Sequence, residues 1–170
     1  NYRAFGDGSV AAALDWELNP GLNILVGEND AGKTGIIDAI RQVLLTTSYE
    51  SIRIFEQDFH IQGANRSHNL SIEATLCGLS PDQEASVLEW LTLSSDGSCS
   101  LILHLEARYH PPQVTKRARV DTIVRAGTNG TGPVSTDAEI VPHLRPGMRR
   151  ALCTRKLKNV DRPPPVVDRN

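Results

Sequence analysis

The chain has 170 residues, 39% of them apolar, 22% charged and 5% aromatic. It can therefore bury one aliphatic core, and it is no collagen, coiled-coil rod or wholly disordered polymer. No apolar run approaches the roughly 20 residues of a membrane-spanning helix, no basic and apolar leader opens the chain, and the net charge of −2 hides two unlike parts.

Residues 1–140 hold 10 Lys and Arg against 18 Asp and Glu, whereas residues 141–170 hold 8 against 2. An acidic body of −8 is thus followed by a basic end of +6 that also carries Pro142, Pro146 and the run Pro163-Pro164-Pro165. This composition shift sets a domain at 1–140 and a poorly ordered tail at 141–170. Cys77, Cys99 and Cys153 are odd in number, and no pair has metal-ligand spacing. They are expected to be reduced thiols of an intracellular, cytoplasmic protein. Asn65-Arg66-Ser67 and Asn129-Gly130-Thr131 match glycosylation acceptors, but without a secretory leader they are expected to be chance matches. The first residue is Asn1 rather than Met, so the chain is expected to be a piece of a longer protein.

Residues 2–5 alternate apolar and polar, a short strand pattern, and Gly6-Asp7-Gly8 reads as a turn. From Ala11 to Leu18, the set Leu14, Trp16, Leu18 alternates with Asp15 and Glu17, predicting a half-buried strand. Asn19-Pro20-Gly21 closes it with a turn, so the two strands are expected to form a meander. Leu22 to Val26 is a short apolar stretch and predicts a buried central strand. Lys33 to Leu45 places Ile36, Ile37, Ile40, Val43 and Leu44 at helical spacing, with Asp38 and Arg41 facing out. Residues 49–68 read as broken extended structure and loops. Leu70 to Leu76 alternates as a strand. Ser80 and Pro81 begin a helix predicted to reach about Leu91, because Ser caps and Pro suits the first helical position. Ser94 to Gly97 is a turn. Cys99 to Tyr109 and Ala118 to Arg125 are two strands, with Pro111-Pro112 in the loop between them. Gly127 to Pro133 is a glycine-rich turn. The order predicts an α/β fold with an antiparallel β annex.

One motif carries chemistry. Gly27-Glu28-Asn29-Asp30-Ala31-Gly32-Lys33-Thr34 fits G-x-x-x-x-G-K-[ST], placed between a predicted strand and a predicted helix. Gly27 and Gly32 allow backbone conformations closed to other residues. Successive N–H groups of Asn29, Asp30, Ala31 and Gly32 can then form an anion nest at the helix N-terminus. Lys33 supplies a charge for the β- and γ-phosphates, and the Thr34 hydroxyl a ligand for Mg²⁺. The pattern points to a nucleoside triphosphate. Hydrolysis would also need a carboxylate on a second strand. Leu101 to Glu106 is the nearest candidate, but His104 interrupts it, and it is expected to be an edge or surface strand of the annex. Leu79-Ser80-Pro81-Asp82-Gln83 only superficially matches an L-S-G-G-Q signature: Pro81 has no N–H to give and Asp82 repels phosphate. No catalytic residue is assigned.

Four runs together resemble a known family: residues 1–5; Pro20 to Val26; the glycine loop; and Ile37-Asp38-Ala39-Ile40. They look like the amino-terminal segment of SMC/RecF-like ABC ATPases. Within that group the chain most resembles the OLD (overcoming lysogenisation defect) family of ATP-dependent endonucleases. Arg53 to His60 resembles the family's post-helix loop, and Arg125 to Pro133 its glycine-rich stretch. The resemblance covers about residues 1–140. It implies a partial P-loop NTPase fold of ABC/SMC-head type, ATP and Mg²⁺ as cofactors, and a longer parent that dimerises. That parent would cut DNA with a Toprim nuclease domain, a part with no counterpart here. Gly27, Asn29, Gly32, Lys33 and Thr34 carry over to the nucleotide site. Gln57 or Asp58 matches the metal- or water-sensing position, and Arg3 the residue that approaches the nucleotide from the first strand. Asp30 stands where relatives have Gly or Asn. Without an ABC signature or a second acidic strand, the fragment is expected to bind ATP and not to turn it over alone. The alternatives are an SMC/RecF-like DNA-repair ATPase without nuclease, a small P-loop kinase or GTPase, and a nucleic-acid-binding role for the basic tail.

Overall fold

The computed structural model describes residues 1–9, 12–19, 21–44 and 54–127, with two further strands at 134–135 and 153–158. Its elements are β1 (Asp15–Trp16), α1 (Lys33–Val43), β2 (Ile61–Gln62), β3 (Asn65–Arg66), β4 (Asn69–Cys77), α2 (Pro81–Ser86), β5 (Leu91–Leu93), β6 (Cys99–His110), β7 (Arg119–Ala126), β8 (Val134–Ser135) and β9 (Cys153–Lys158). Short 3₁₀ turns occupy Glu56–Asp58 and Leu88–Trp90.

Seven strands make one sheet in the order β1-β9-β4-β6-β7-β8, with β5 also paired to β6; β2 and β3 form a separate hairpin. Every pair among the described strands is antiparallel. Alternation explains the core, because a strand sends every second side chain to one face. On β4 these are Leu70, Ile72, Ala74 and Leu76; on β6 they are Leu101, Leu103, Leu105, Ala107 and Tyr109; on β7 they are Val124 and Ala126, all buried. The register sets Leu76 opposite Leu101, Ile72 opposite Leu105, and Leu105 opposite Val124. Helix α1 packs over β4 and β6 and adds Ala39, Val43 and Leu44 to the same cluster, which also holds Tyr2, Ile54 and Phe59. A fully buried aliphatic side chain of this kind contributes about 1.5–3 kcal/mol.

Mixed α/β structure, the helix after the glycine loop, and the strands at 69–77, 99–110 and 119–126 agree with the sequence pattern. Several expectations need correction. Leu22 to Val26 is not a buried strand: Leu22, Ile24 and Val26 are 83%, 72% and 90% exposed, and no described strand pairs with them. Apolar composition encodes a preference for burial but not the partner that would satisfy it. Within the stretch, the Asn23 amide bonds back to both the N–H and the C=O of Asn19, a local closure that needs no sheet.

The expected meander is not formed. Residues 2–5 make a tight turn bridging Tyr2 to Phe5, and Tyr2 also bridges to Phe59. Only Asp15–Trp16 of the predicted second strand is extended in a sheet, where it pairs with β9. Ile37, expected on the apolar face of α1, is 50% exposed, since it lies 100° around the helix from the buried Ile36. Helix α2 stops at Ser86 instead of about Leu91. The Ser86 hydroxyl bonds back to the Asp82 carbonyl, a contact that competes with the helix ladder, and Val87 leaves helical geometry to become buried. Strand β6 is central rather than an edge, with β4 and β7 on its two sides. That position buries His104, whose Nδ1 is 3.2 Å from Glu73 and whose Nε2 is 3.0 Å from the Gly127 carbonyl. Cys153–Lys158, inside the basic end, lies in the sheet between β1 and β4. Most of the expected turn at Gly127 to Pro133 and the rest of residues 141–170 fall outside the described residues.

Candidate functional site

The glycine loop runs into α1, and the backbone requires glycine at Gly32 but not at Gly27, which is not left-handed and where a Cβ would meet only Ala31 at an ordinary 3.6 Å. Gly32 occupies the N-cap position in a left-handed conformation, φ 85°, which side-chain-bearing residues adopt only at a cost. A Cβ at Gly32 would also stand 2.9 Å from the Phe5 ring. Asp30 is left-handed too, φ 63°, a conformation Asp tolerates better than most residues. The Ala31 N–H closes a turn onto the Glu28 carbonyl at 3.3 Å.

No side chain caps the start of α1, and its first turn holds no acidic residue. The helix therefore presents its uncapped N–H groups, and the positive end of its dipole, next to the loop. Gly27, Asn29, Asp30 and Ala31 are exposed, Gly32 and Lys33 half-buried, and Thr34 exposed. The Lys33 ammonium donates to the carbonyls of Gly27, at 2.9 Å, and Glu28. It thus ties the two ends of the loop together and keeps one of its three donors for a ligand. A left-handed glycine cap, an uncapped helix end and a cation across the loop fit a phosphate group. Lys33 and Thr34 fit the charge and hydroxyl that a nucleotide with Mg²⁺ needs. Among the described residues there is no cluster of three or more His, Cys, Asp or Glu that could hold a metal by itself.

Arg3 does not stand as a loose surface charge. Its Nε is 2.8 Å from Asp58 Oδ1 and its Nη1 2.6 Å from Asp38 Oδ2. Its backbone N–H bonds the Asp58 carbonyl at 2.7 Å, and its own carbonyl accepts from His60 Nδ1 at 2.7 Å. Asp58 is 2% exposed, and its second oxygen accepts from the Phe55 N–H. Burial works against the Arg3 charge, but the hydrogen bonds to Asp58 and Asp38 outweigh it and raise its pKa above the ordinary value. Tyr2 is raised as well. Its burial is the main cause, helped by the charges of Asp58 and Asp38 and opposed by Arg3. Gln57 lies exposed on the 56–58 turn, next in sequence to Asp58.

The structure thus joins Arg3, Asp38, Asp58 and His60 in one network and sets the Phe5 ring close against Gly32. Sequence reasoning gave Arg3 a place near the nucleotide, left Asp58 as an alternative to Gln57, and set Asp38 outward. It missed the bond between Arg3 and both carboxylates, since pairs separated by 35 and 55 residues leave no local signal. No described helix is long and apolar enough to cross a membrane.

A family model described as an AAA domain matches residues 1–86, which include the glycine loop, α1, β4 and α2. No curated protein and no solved structure matches significantly. At a coarse level the mixed α/β structure with its antiparallel sheet fits a P-loop-like ATPase. With its glycine loop and half its length inside the match, the chain belongs to the AAA domain family of ATP-binding ATPases.

Proposed function

We propose that the chain is the ATP-binding portion of an ABC/SMC-type ATPase of the OLD kind, whose full-length parent couples ATP to DNA cleavage. The observation that carries the nucleotide reading is the loop Gly27 to Thr34, with Gly32 left-handed at an uncapped helix start and Lys33 bonded across the loop. The backbone N–H groups of Asn29, Asp30, Ala31 and Gly32 would face the phosphates, and Lys33 would neutralise their charge. Thr34 would hold Mg²⁺, with Gln57 as a further ligand or water-positioning group. When bound, the ion would offset the charge of the phosphates. Asp30, left-handed at the loop tip, would serve through its N–H with its carboxylate turned outward.

The OLD assignment rests on the resemblance at residues 53–60 and 125–133. The parent would act as a homodimer in the cytoplasm, with DNA met through its nuclease domain. A fluorescent ATP analogue with Mg²⁺ tests the nucleotide reading: the chain should bind it, and Lys33→Ala should abolish binding. Equal binding by both proteins would refute it. Turnover by the chain alone should be negligible, because a second acidic strand and an ABC signature are missing from the sequence. Robust hydrolysis would refute that part.

A further inference from the structure

Arg3 is a side-chain-bearing residue at φ 48°, a strained conformation for a residue other than Gly, Asn or Asp, and such strain persists only where surrounding contacts over-determine it. Here those contacts converge on the first turns of α1, which continues directly from the glycine loop. The aliphatic part of Arg3 lies over the first turn of α1, where a Cβ on Gly35 would be 3.6 Å from its Cδ. Its guanidinium holds Asp38 of α1 on one side and Asp58 on the other. Thr34 and Asp38 are four residues apart, so they share one face of the helix. Residues 55–60 are tied to the same arginine by Asp58 and His60.

We propose that Arg3 is a positioning residue for the nucleotide site: it fixes the start of α1, and so Lys33 and Thr34, against the turn at 55–60, without touching the nucleotide. This rests on the nucleotide reading above. Two of its three guanidinium nitrogens, Nε and Nη1, are committed to carboxylates, so its influence on phosphates passes through Asp38 and the helix. A direct phosphate contact makes the opposite prediction for Asp38, because neutralising that carboxylate would release the arginine toward the ligand.

The test is a double-mutant cycle on MgATP-analogue binding, made well below the melting temperature of each protein, with folding checked by circular dichroism. Arg3→Gln and Asp38→Asn should each weaken binding about five- to tenfold. The double variant should be no weaker than the worse single variant, since both remove the same link. Arg3→Lys, which can still hold one carboxylate, should fall between wild type and Arg3→Gln and serves if Arg3→Gln does not fold. Arg119→Gln, at an exposed ion pair on β7, should leave binding unchanged. Unchanged binding by folded Arg3 variants, tighter binding by Asp38→Asn, or fully additive losses would overturn the proposal. If the wild-type chain binds but Lys33→Ala binds equally, the nucleotide reading has failed, and the proposal with it.

Discussion

Gly32 and Gly35 stand three residues apart around the start of α1, yet replacing each by alanine should move stability in opposite directions. At Gly32 the backbone is left-handed, φ 85°, which costs a residue with a Cβ roughly 1–2 kcal/mol. The new Cβ would also come within 2.9 Å and 3.2 Å of two Phe5 ring atoms. Moving that ring adds on the order of 1 kcal/mol, and the stiffer unfolded chain returns about 0.4–1 kcal/mol. Gly32→Ala should therefore lose about 1–2.5 kcal/mol, or roughly 2–10 °C in a chain of this size. Gly35 is inside the helix, and its nearest neighbour would be Arg3 Cδ at 3.6 Å, an ordinary contact. Gly35→Ala should gain about 0.5–1 kcal/mol. Thermal melts and urea midpoints of both variants measure this directly. Gly32→Ala/Phe5→Leu should recover only the steric part, leaving the backbone cost. A Gly32→Ala protein as stable as wild type, or a Gly35→Ala protein destabilised as much as Gly32→Ala, would refute the reasoning.

Other consequences can be checked the same way. Tyr2 keeps its proton more tightly when folded than its ordinary 10.0. Its contribution is therefore complete below about pH 10 and falls as pH rises above that value. Tyr2→Phe, which also removes a buried hydroxyl with no hydrogen-bond partner among the described residues, should flatten this alkaline loss and be neutral or mildly stabilising at pH 7; a steeper alkaline loss would contradict it. Ser80→Ala removes the capping box in which Ser80 and Gln83 bond each other's backbone N–H, and should cost about 1 kcal/mol in urea unfolding. Ile24→Thr, at a 72% exposed position, should change stability by less than about 0.5 kcal/mol; a loss of several kcal/mol would show that the segment is buried after all.

The parts legible in the sequence are those whose cause is local. The glycine loop was readable because residue type and spacing state the backbone and charge requirement directly. Ser80, Pro81 and Gln83 announced a helix start, and period-2 alternation announced β4, β6 and β7. What failed depended on distant partners. Leu22 to Val26 has the composition of a central strand, but a strand is central only if neighbours supply two edges. Glu106 and His104 read as edge residues because nothing local shows that β4 and β7 flank them. Residues 2–5 alternate like a strand, yet Asp58 and His60, more than fifty positions away, draw Arg3 into a turn.

These failures and successes meet at the loop and explain how it is held. On the strand side, Leu22 to Val26 approaches it without any described strand partner. On the helix side, α1 is anchored in the core by Ala39, Val43 and Leu44, and residues 2–5 lie against its first turn through Phe5 on Gly32 and Arg3 on Gly35. The loop's shape is therefore imposed from the helix and the amino-terminal turn rather than from the preceding segment. Substitutions at Phe5, Arg3 and Gly32 should consequently disturb the proposed nucleotide site more than substitutions of similar size at Leu22, Ile24 or Val26. That ordering is the reverse of what a buried strand feeding the loop would give.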